Sequence, residues 1–167
     1  MAKDGGPAAP VGADVDLRVP ADRAEFRRRQ MPVLGVISAG GVCGALARYG
    51  VSVAWPHPAT GFPWATFVIN ASGCLLIGVL MVVVTEVVPG RRLLRPFVGV
   101  GVLGGYTTFS TYVLEVHKAA TAGAALVAVL YLAGTVLAAL LSVWLGSAAT
   151  LAVVRRRRRR RTRAGES

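Results

Sequence analysis

Four long apolar segments dominate this sequence and limit the folds that it can adopt. A helix that crosses a membrane needs about 20 mostly apolar residues, so each segment is long enough to span a bilayer. Charged residues make up only 16% of the chain, whereas soluble domains contain about 25%. The sequence therefore predicts an all-α integral membrane protein with four transmembrane helices, over residues 32–53, 64–88, 94–116 and 121–154.

Both ends of the chain are polar and predict segments outside the bilayer. Residues 1–30 are rich in Gly, Pro, Ala and Asp, which is typical of a disordered arm. Residues 31–154 form the predicted four-helix transmembrane domain, and residues 155–167 form an Arg-rich tail. Cys43 and Cys74 lie in apolar runs without CxxC spacing, so they predict neither a disulfide nor a zinc site.

Lys and Arg are distributed unevenly between the two sides of the predicted bundle. With four spans, both termini and the 89–95 loop share one side, which carries all of the 19 Lys and Arg residues except Arg48 and Lys118. Cytoplasmic loops are enriched in Lys and Arg, so the bias predicts a multi-pass cell-membrane protein with both termini in the cytoplasm. The run at 155–161 has the charge to bind anionic lipid or nucleic acid. We interpret it first as a block that fixes orientation.

Glycines in the first and third segments have the spacing of helix contacts. Gly40 with Gly44, and Gly101 with Gly105, form small-xxx-small pairs that let two helix backbones approach closely. Four short helices enclose little volume. A polar path through such a protein is therefore expected between two copies rather than within one.

The third segment carries a polar interruption at its centre, in the stretch GGYTTFSTY at 104–112. No charged residue lies between Pro96 and Leu114. A glycine pair weakens a helix, and a break in a spanning helix frees carbonyl oxygens that must be buried against protein or bind an ion. Broken helices of transporters hold cations such as Na⁺ in this way. The residues predict a helix broken at its centre, and both a bound cation and a kink without an ion fit them.

The remaining polar groups in the spans are mostly neutral donors. Asn70 cannot satisfy its amide on its own helix, so it needs a partner or a permeant species. Glu86 and Glu115 fall near segment ends, which argues against a proton-coupled pump, and His57 and His117 are interpreted as surface residues. Amide N–H groups, hydroxyls and aromatic ring edges suit a small anion that must be dehydrated and released. Nothing in the chain resembles a catalytic nucleophile and base, so we expect no enzyme.

Three segments, in order, resemble the signature segments of the CrcB/Fluc fluoride channel family. They are GGVCGALARY (Gly40–Tyr49), ATFVINASGCLLIG (Ala65–Gly78) and GVLGGYTTFSTYVLE (Gly101–Glu115). The resemblance covers about residues 32–150. It implies a fluoride-selective passive channel that exports cytoplasmic fluoride and relieves its toxicity. It also implies an antiparallel dual-topology dimer of four-helix subunits, with a structural Na⁺ at the dimer centre.

The resemblance also implies roles for particular residues. Arg48 matches the family's vestibule arginine, and Gly104 and Thr107 match the backbone carbonyl donors to Na⁺. Two positions depart from the family pattern: Tyr112 stands where Phe is usual, so that its hydroxyl must find a place, and Ala139 lacks a hydroxyl that Ser142 would replace. The residues that match the fluoride pathway are Asn70, Phe109, Ser110, Tyr112, Tyr131 and Thr135.

The uneven distribution of Lys and Arg also predicts how two chains assemble. A chain that inserts in both orientations to form a homodimer should have a weak bias, so the strong bias predicts a heterodimer with an oppositely oriented paralogue, with the homodimer as the alternative. An alternative function is a small dual-topology four-helix exporter of cationic compounds, but residues 32–53 lack the carboxylate that it would need. A non-transporting protein that recruits lipid or nucleic acid through its Arg tail is a third. We expect fluoride and the lipid bilayer as partners, and no nucleic acid.

Overall fold

The computed structural model describes residues 20–88 and 93–165, and the side chains of residues 30–88 and 93–159. Within these ranges the protein is all-helical. Four stretches are long and apolar enough to cross a membrane: Gln30–Ala54, Trp64–Glu86, Arg95–Thr121 and Ala125–Arg159. The prediction of an all-α, four-span membrane protein is confirmed. The elements are α1 Pro20–Ala54, α2 Trp64–Glu86, the π-helical segment Arg95–Leu103, α3 Gly104–Tyr106, α4 Ser110–Thr121 and α5 Ala125–Gly165.

The outer helices extend beyond the predicted spans. α1 begins at Pro20, so the end of the segment predicted as a disordered arm is helical, while residues 1–19 lie outside the described part. α5 continues past Val154 to Gly165 and takes the Arg-rich tail into the helix. Arginine is a good helix former, and no Gly or Pro lies between Ser147 and Ala164 to stop it.

The third span is interrupted at its centre, as its sequence predicts. The chain runs as a π-helix from Arg95 to Leu103 and makes one α-helical turn, α3. It then becomes extended at Thr107, where ψ is 159°. α4 restarts the helix at Ser110. The break therefore occupies residues 107–109, inside the GGYTTFSTY stretch.

Glycine pairs join α1 to the first half of the third span. A Cβ atom on Gly44 would collide with the Val102 carbonyl oxygen, and one on Gly105 would collide with the Gly41 carbonyl oxygen. At Gly40, a Cβ atom would lie 3.0 Å from Gly101 Cα. The two backbones are thus in direct contact, and the predicted helix contact is confirmed.

A second glycine contact joins α2 to α5. Cβ atoms on Gly78 and Gly146 would collide with the carbonyl oxygens of Val143 and Leu75, and Ser147 Oγ donates to the Gly78 carbonyl oxygen at 3.3 Å. The largest fully buried side chains include Tyr131 and Ile69. The core therefore sits between α2, α4 and α5.

The turn between α4 and α5 depends on one glycine. Gly123 has a φ of +81°, which side chains rarely tolerate. It reverses the chain, so α5 starts at Ala125 rather than at residue 121. α4 is thereby brought back along α5, and both contribute side chains to the site described next.

Candidate functional site

The break in the third span is held by the side chain of Asn70 on α2. Asn70 Nδ2 donates to the Thr108 carbonyl oxygen at 2.9 Å, and Asn70 Oδ1 accepts from the Thr108 N–H at 2.9 Å. The amide thus pairs with both backbone groups of one residue in the break. The expectation that Asn70 needs a partner is met by the backbone, and its second Nδ2–H remains for another acceptor.

The same hydrogen bonds divert the helical donors of two carbonyl groups. In an unbroken helix the Thr108 N–H would donate to Gly104 and the Thr111 N–H to Thr107. Here Thr108 donates to Asn70, and the Thr111 N–H donates to Thr108 Oγ1 at 3.2 Å. The carbonyl oxygens of Gly104 and Thr107 therefore lose their helical donors, and carbonyl oxygens of this kind fit a bound cation.

The surroundings of these two carbonyl groups differ. Arg48 Nη1 approaches the Thr107 carbonyl oxygen at 3.4 Å, which is a long hydrogen bond. Gly104 is exposed, and a Cβ atom built there would have the Gly99 carbonyl oxygen, 4.0 Å away, as its contact within the described chain. The face of the break at Gly104 is thus open to its surroundings.

An open groove of about 250 Å³ runs from the break to α5. Four of the residues predicted for the pathway line it, together with Thr107. Phe109 projects from the break with 77% of its surface exposed, so its ring is accessible at the edge of this mostly apolar groove. The lining residues are Asn70, Cys74, Ile77, Thr107, Thr108, Phe109, Tyr112, Thr135, Val136 and Ala139.

Thr135 brings an unpaired hydroxyl to this groove. Thr135 is only 6% exposed, and its Oγ1 has no hydrogen-bond partner in the described part of the chain. Several other hydroxyls of the spans bond to a carbonyl one turn back, as Thr150 Oγ1 does to Gly146 at 2.7 Å. Because a buried polar atom without a partner is costly, the Thr135 hydroxyl is a donor or acceptor available to a species in the groove.

Aromatic rings lead from the groove into the core. The ring centroids of Phe109 and Tyr112 are 5.9 Å apart, those of Tyr112 and Tyr131 are 5.3 Å apart, and those of Tyr131 and Phe62 are 5.4 Å apart. The Tyr112 hydroxyl donates to the Leu132 carbonyl oxygen at 2.7 Å. The extra hydroxyl at this position is therefore directed at the backbone of α5, and the ring keeps its place beside the groove.

Glu115 forms a polar cluster that the sequence did not predict. Its carboxylate accepts hydrogen bonds from Thr66 Oγ1 at 2.9 Å and from Tyr131 Oη at 2.8 Å. His57 Nε2 lies 3.9 Å from Glu115 Oε1, so His57 is a partner of this cluster rather than a purely surface residue. The four residues come from the α1–α2 loop, α2, α4 and α5. The single helpful signal in the sequence is that Glu115 lies three residues after Tyr112 and so shares its helix face.

Two other residues predicted for the pathway, Tyr131 and Ser110, do not line the groove. Tyr131 is fully buried behind Tyr112 and bonded to Glu115, and Ser110 is exposed at the first turn of α4. Ala139 lines the groove with a methyl group, and Ser142 is half-buried about one turn further along α5. The structure thus gathers Asn70, Phe109, Tyr112 and Thr135 at one groove.

Comparisons with known proteins agree with these features. The profile of the family described as "CrcB-like protein, Camphor Resistance (CrcB)" matches residues 35–147. A Streptomyces coelicolor protein named fluoride-specific ion channel FluC 1 is 50% identical over 145 residues, which cover 87% of this chain and 94% of the relative. A Nocardia farcinica protein named fluoride-specific ion channel FluC 2 is 60% identical over 117 residues, 70% of this chain and 84% of the relative. The matched region contains the glycine contacts, the broken span and the groove, and the chain belongs to the CrcB-like family.

Proposed function

We propose that this chain is a fluoride-selective passive ion channel, through which cytoplasmic fluoride leaves the cell and its toxicity is relieved. The observation that carries the proposal is the groove beside the broken span, which is lined by both the unpaired Thr135 hydroxyl and the exposed ring of Phe109. The relatives named as fluoride-specific channels support the choice of ion. Fluoride that enters as neutral HF ionises inside the cell, so a passive path for the anion is sufficient to remove it.

The groove offers neutral donors, which suit an anion that must lose its water and still be released. The free N–H of Asn70 and the hydroxyl of Thr135 donate hydrogen bonds, and the ring edges of Phe109 and Tyr112 carry the positive part of the aromatic quadrupole. α4 starts at the break, and the N-terminus of a helix carries a partial positive charge. A fixed cation in the groove would bind the anion too tightly to conduct it.

The other predicted residues have supporting roles in this proposal. Arg48 raises the local anion concentration at the vestibule by its charge. Ser110 contributes its hydroxyl from the first turn of α4. Tyr131 is held by Glu115, which keeps the Tyr112 ring in position from behind.

We propose further that the carbonyl oxygens of Gly104 and Thr107 hold a structural Na⁺ between two chains. Both carbonyls have lost their helical donors, and the Gly104 face is open. Two carbonyls from one chain enclose a cation only on one side, and a second chain related by an approximate two-fold axis would supply two more. When bound, the ion offsets the partial negative charges of the facing carbonyls and stabilises an antiparallel, dual-topology dimer.

The partner in this dimer is proposed to be an oppositely oriented paralogue. The positive bias predicts that both termini of this chain are cytoplasmic, and a sequence with such a bias is expected to insert poorly in the reverse orientation. Two Streptomyces avermitilis relatives, named FluC 2 and FluC 3, are 49% and 39% identical to this chain, so one organism can carry more than one related channel. A homodimer remains the alternative.

The proposal is tested by fluoride efflux from vesicles that contain the purified channel, prepared from this chain co-expressed with an oppositely oriented paralogue, and read with a fluoride electrode against a chloride control. We expect selective fluoride efflux, and the Phe109→Ile variant should conduct at least about tenfold more slowly because it lacks ring edges. Its elution volume should not change, since Ile keeps apolar volume at an exposed position. Efflux of chloride at the rate of fluoride would contradict selectivity, and normal flux in the variant would remove Phe109 from the path.

The assembly is tested by the same assay with and without a co-expressed paralogue. Efflux from this chain alone, with both orientations equally accessible to a membrane-impermeant label on an engineered cysteine, would contradict the heterodimer. Efflux that appears only with the oppositely oriented partner supports it.

A further inference from the structure

α5 leaves the predicted membrane region as an unbroken helix that carries consecutive arginines. Its uncharged part ends at Val154, and Arg155–Arg161 follow without a break in the helix. At 1.5 Å per residue the uncharged part is about 45 Å long, which equals the bilayer thickness of about 40–45 Å with its headgroups. The first arginines therefore lie at the depth of the headgroups.

A contact with α2 holds the arginines at this depth. Arg158 Nη2 lies 2.9 Å from Glu86 Oε2 and donates to the Glu86 carbonyl oxygen at 3.1 Å. Glu86 is the last residue of α2, whose 23 residues span about 34 Å, close to a hydrocarbon thickness of about 30 Å. The arginines of α5 are thus level with the point where the second span leaves the hydrocarbon.

The neighbouring arginines present their charge outward. Arg155, Arg156 and Arg157 are all exposed, and successive residues of a helix point about 100° apart. They therefore cover most directions around α5, including the directions that face the surrounding lipid. Arg95 is exposed at the same end of the bundle, where the third span begins. The carboxylate of Glu86, at this same end, already pairs with Arg158.

We propose that Arg155–Arg157, the arginine collar, binds the phosphate groups of anionic phospholipids in the membrane that the protein spans. A guanidinium group is weakly hydrated and binds phosphate oxygens through two parallel N–H groups. Basic clusters beside a transmembrane helix attract anionic lipids, and the attraction falls off within about 10 Å of the surface. Nucleic acid offers the same phosphate chemistry. The collar, however, lies within about one helical turn of the apolar part and is held beside α2, where a lipid headgroup reaches it and a duplex is obstructed by the bilayer.

The proposal is tested on the full-length chain in detergent, where insertion orientation has no influence on the result. Phosphatidylglycerol or phosphatidylcholine is added, and bound lipids are counted by native mass spectrometry. The variant Arg155→Gln/Arg156→Gln/Arg157→Gln removes three charges and keeps the Arg158–Glu86 contact. Its control, Lys3→Gln/Arg18→Gln/Arg23→Gln, removes the same charge from the N-terminal region. The assay does not use fluoride flux, so it stands or fails independently of the channel function.

The native chain should prefer phosphatidylglycerol over phosphatidylcholine by at least about tenfold, since each basic residue near an anionic surface contributes about fivefold. The collar variant should lose most of this preference, and the control should keep it. Equal affinity for both lipids in the native chain, or an equal loss in the control, would overturn the proposal.

Two further measurements cover the remaining outcomes. If the Gln variant fails to fold, as judged by elution volume and helix content, the Arg→Ala variant at the same three positions replaces it, because alanine is the better helix former. It also removes the three charges, and an unchanged preference for phosphatidylglycerol in that variant would contradict recognition of phosphate by the collar. A 20-base-pair DNA duplex that displaces phosphatidylglycerol at physiological salt, in a manner lost in the collar variant, would assign the collar to nucleic acid instead.

Discussion

The two faces of the third span differ in how closely they are packed. On one face, the π-helical segment and α3 press their backbone against α1 through glycines, without space for a single Cβ atom at Gly44. On the other face, the break and α4 turn side chains toward α2 and α5, and an open groove of about 250 Å³ remains between them. The first face fills all available space, and the second leaves space and an unpaired hydroxyl.

This difference explains how a short chain can hold a polar break inside a membrane. Backbone contact between glycines gives dispersion contacts at short range and needs no side-chain ordering, so it makes a rigid support. The break is then fixed from the other side by Asn70, which satisfies both backbone groups of Thr108. The rigid face thus positions the break, and the open face leaves it accessible from the groove.

The largest effect is expected where the rigid face is broken. Gly44→Ala places a methyl group on the Val102 carbonyl oxygen, and neither backbone can yield without separating α1 from the third span. Overpacking of this kind costs up to about 3 kcal/mol. We expect the variant to lose about that much stability in equilibrium unfolding with SDS, and to elute as aggregate.

The matched control for this change is Gly35→Ala, also in α1, where a Cβ atom meets nothing within 4 Å. It should be neutral or stabilising by about 0.5–1 kcal/mol, because alanine is the better helix former. Equal stability of the two variants would show that the contact between α1 and the third span is looser than described.

A smaller effect is expected when the support of the break is removed from the open face. Asn70→Ala leaves the N–H and the carbonyl of Thr108 without their partner, at a cost of about 2 kcal/mol. Fluoride efflux should fall by more than about tenfold, because the break moves and the free amide donor is lost. Thr85→Val on the same helix removes a hydroxyl that only bonds one turn back to Met81, so it should change stability by less than about 0.5 kcal/mol. Unaltered unfolding of the Asn70 variant would mean that the break supports itself.

The smallest effect on stability, and one of opposite sign, is expected inside the groove. Thr135→Val removes a buried hydroxyl that has no partner in the described residues, so stability should rise by about 1 kcal/mol. Fluoride efflux should nevertheless fall, because the groove loses a hydrogen-bond donor. Thr150→Val, whose hydroxyl donates to Gly146 at 2.7 Å, is the control and should not increase stability or alter flux. A loss of stability in the Thr135 variant would indicate a hidden partner for its hydroxyl.

The sequence by itself determined the features that depend on neighbouring residues. Four apolar segments of spanning length predict four spans, because a helix is the structure that satisfies every backbone group of one segment within the bilayer. The spacing of Gly40 with Gly44, and of Gly101 with Gly105, predicts a backbone contact since residues four apart share a helix face. The Gly pair and the hydroxyl cluster at 104–111 predict the break because they weaken the helix locally.

Only the tertiary structure decided how the polar groups are paired. Asn70 meets Thr108, Tyr112 meets Leu132, and Glu115 meets Thr66 across separations of 38, 20 and 49 residues. Local pattern does not specify which helix faces which, so the partner of Asn70 and the cluster at Glu115 do not follow from residue spacing. The continuation of α5 through the arginines was also missed, since composition alone does not separate a charged tail from a charged helix. The pairings share one physical reason: contacts between helices orient the side chains, and the partner of each polar group follows from that packing.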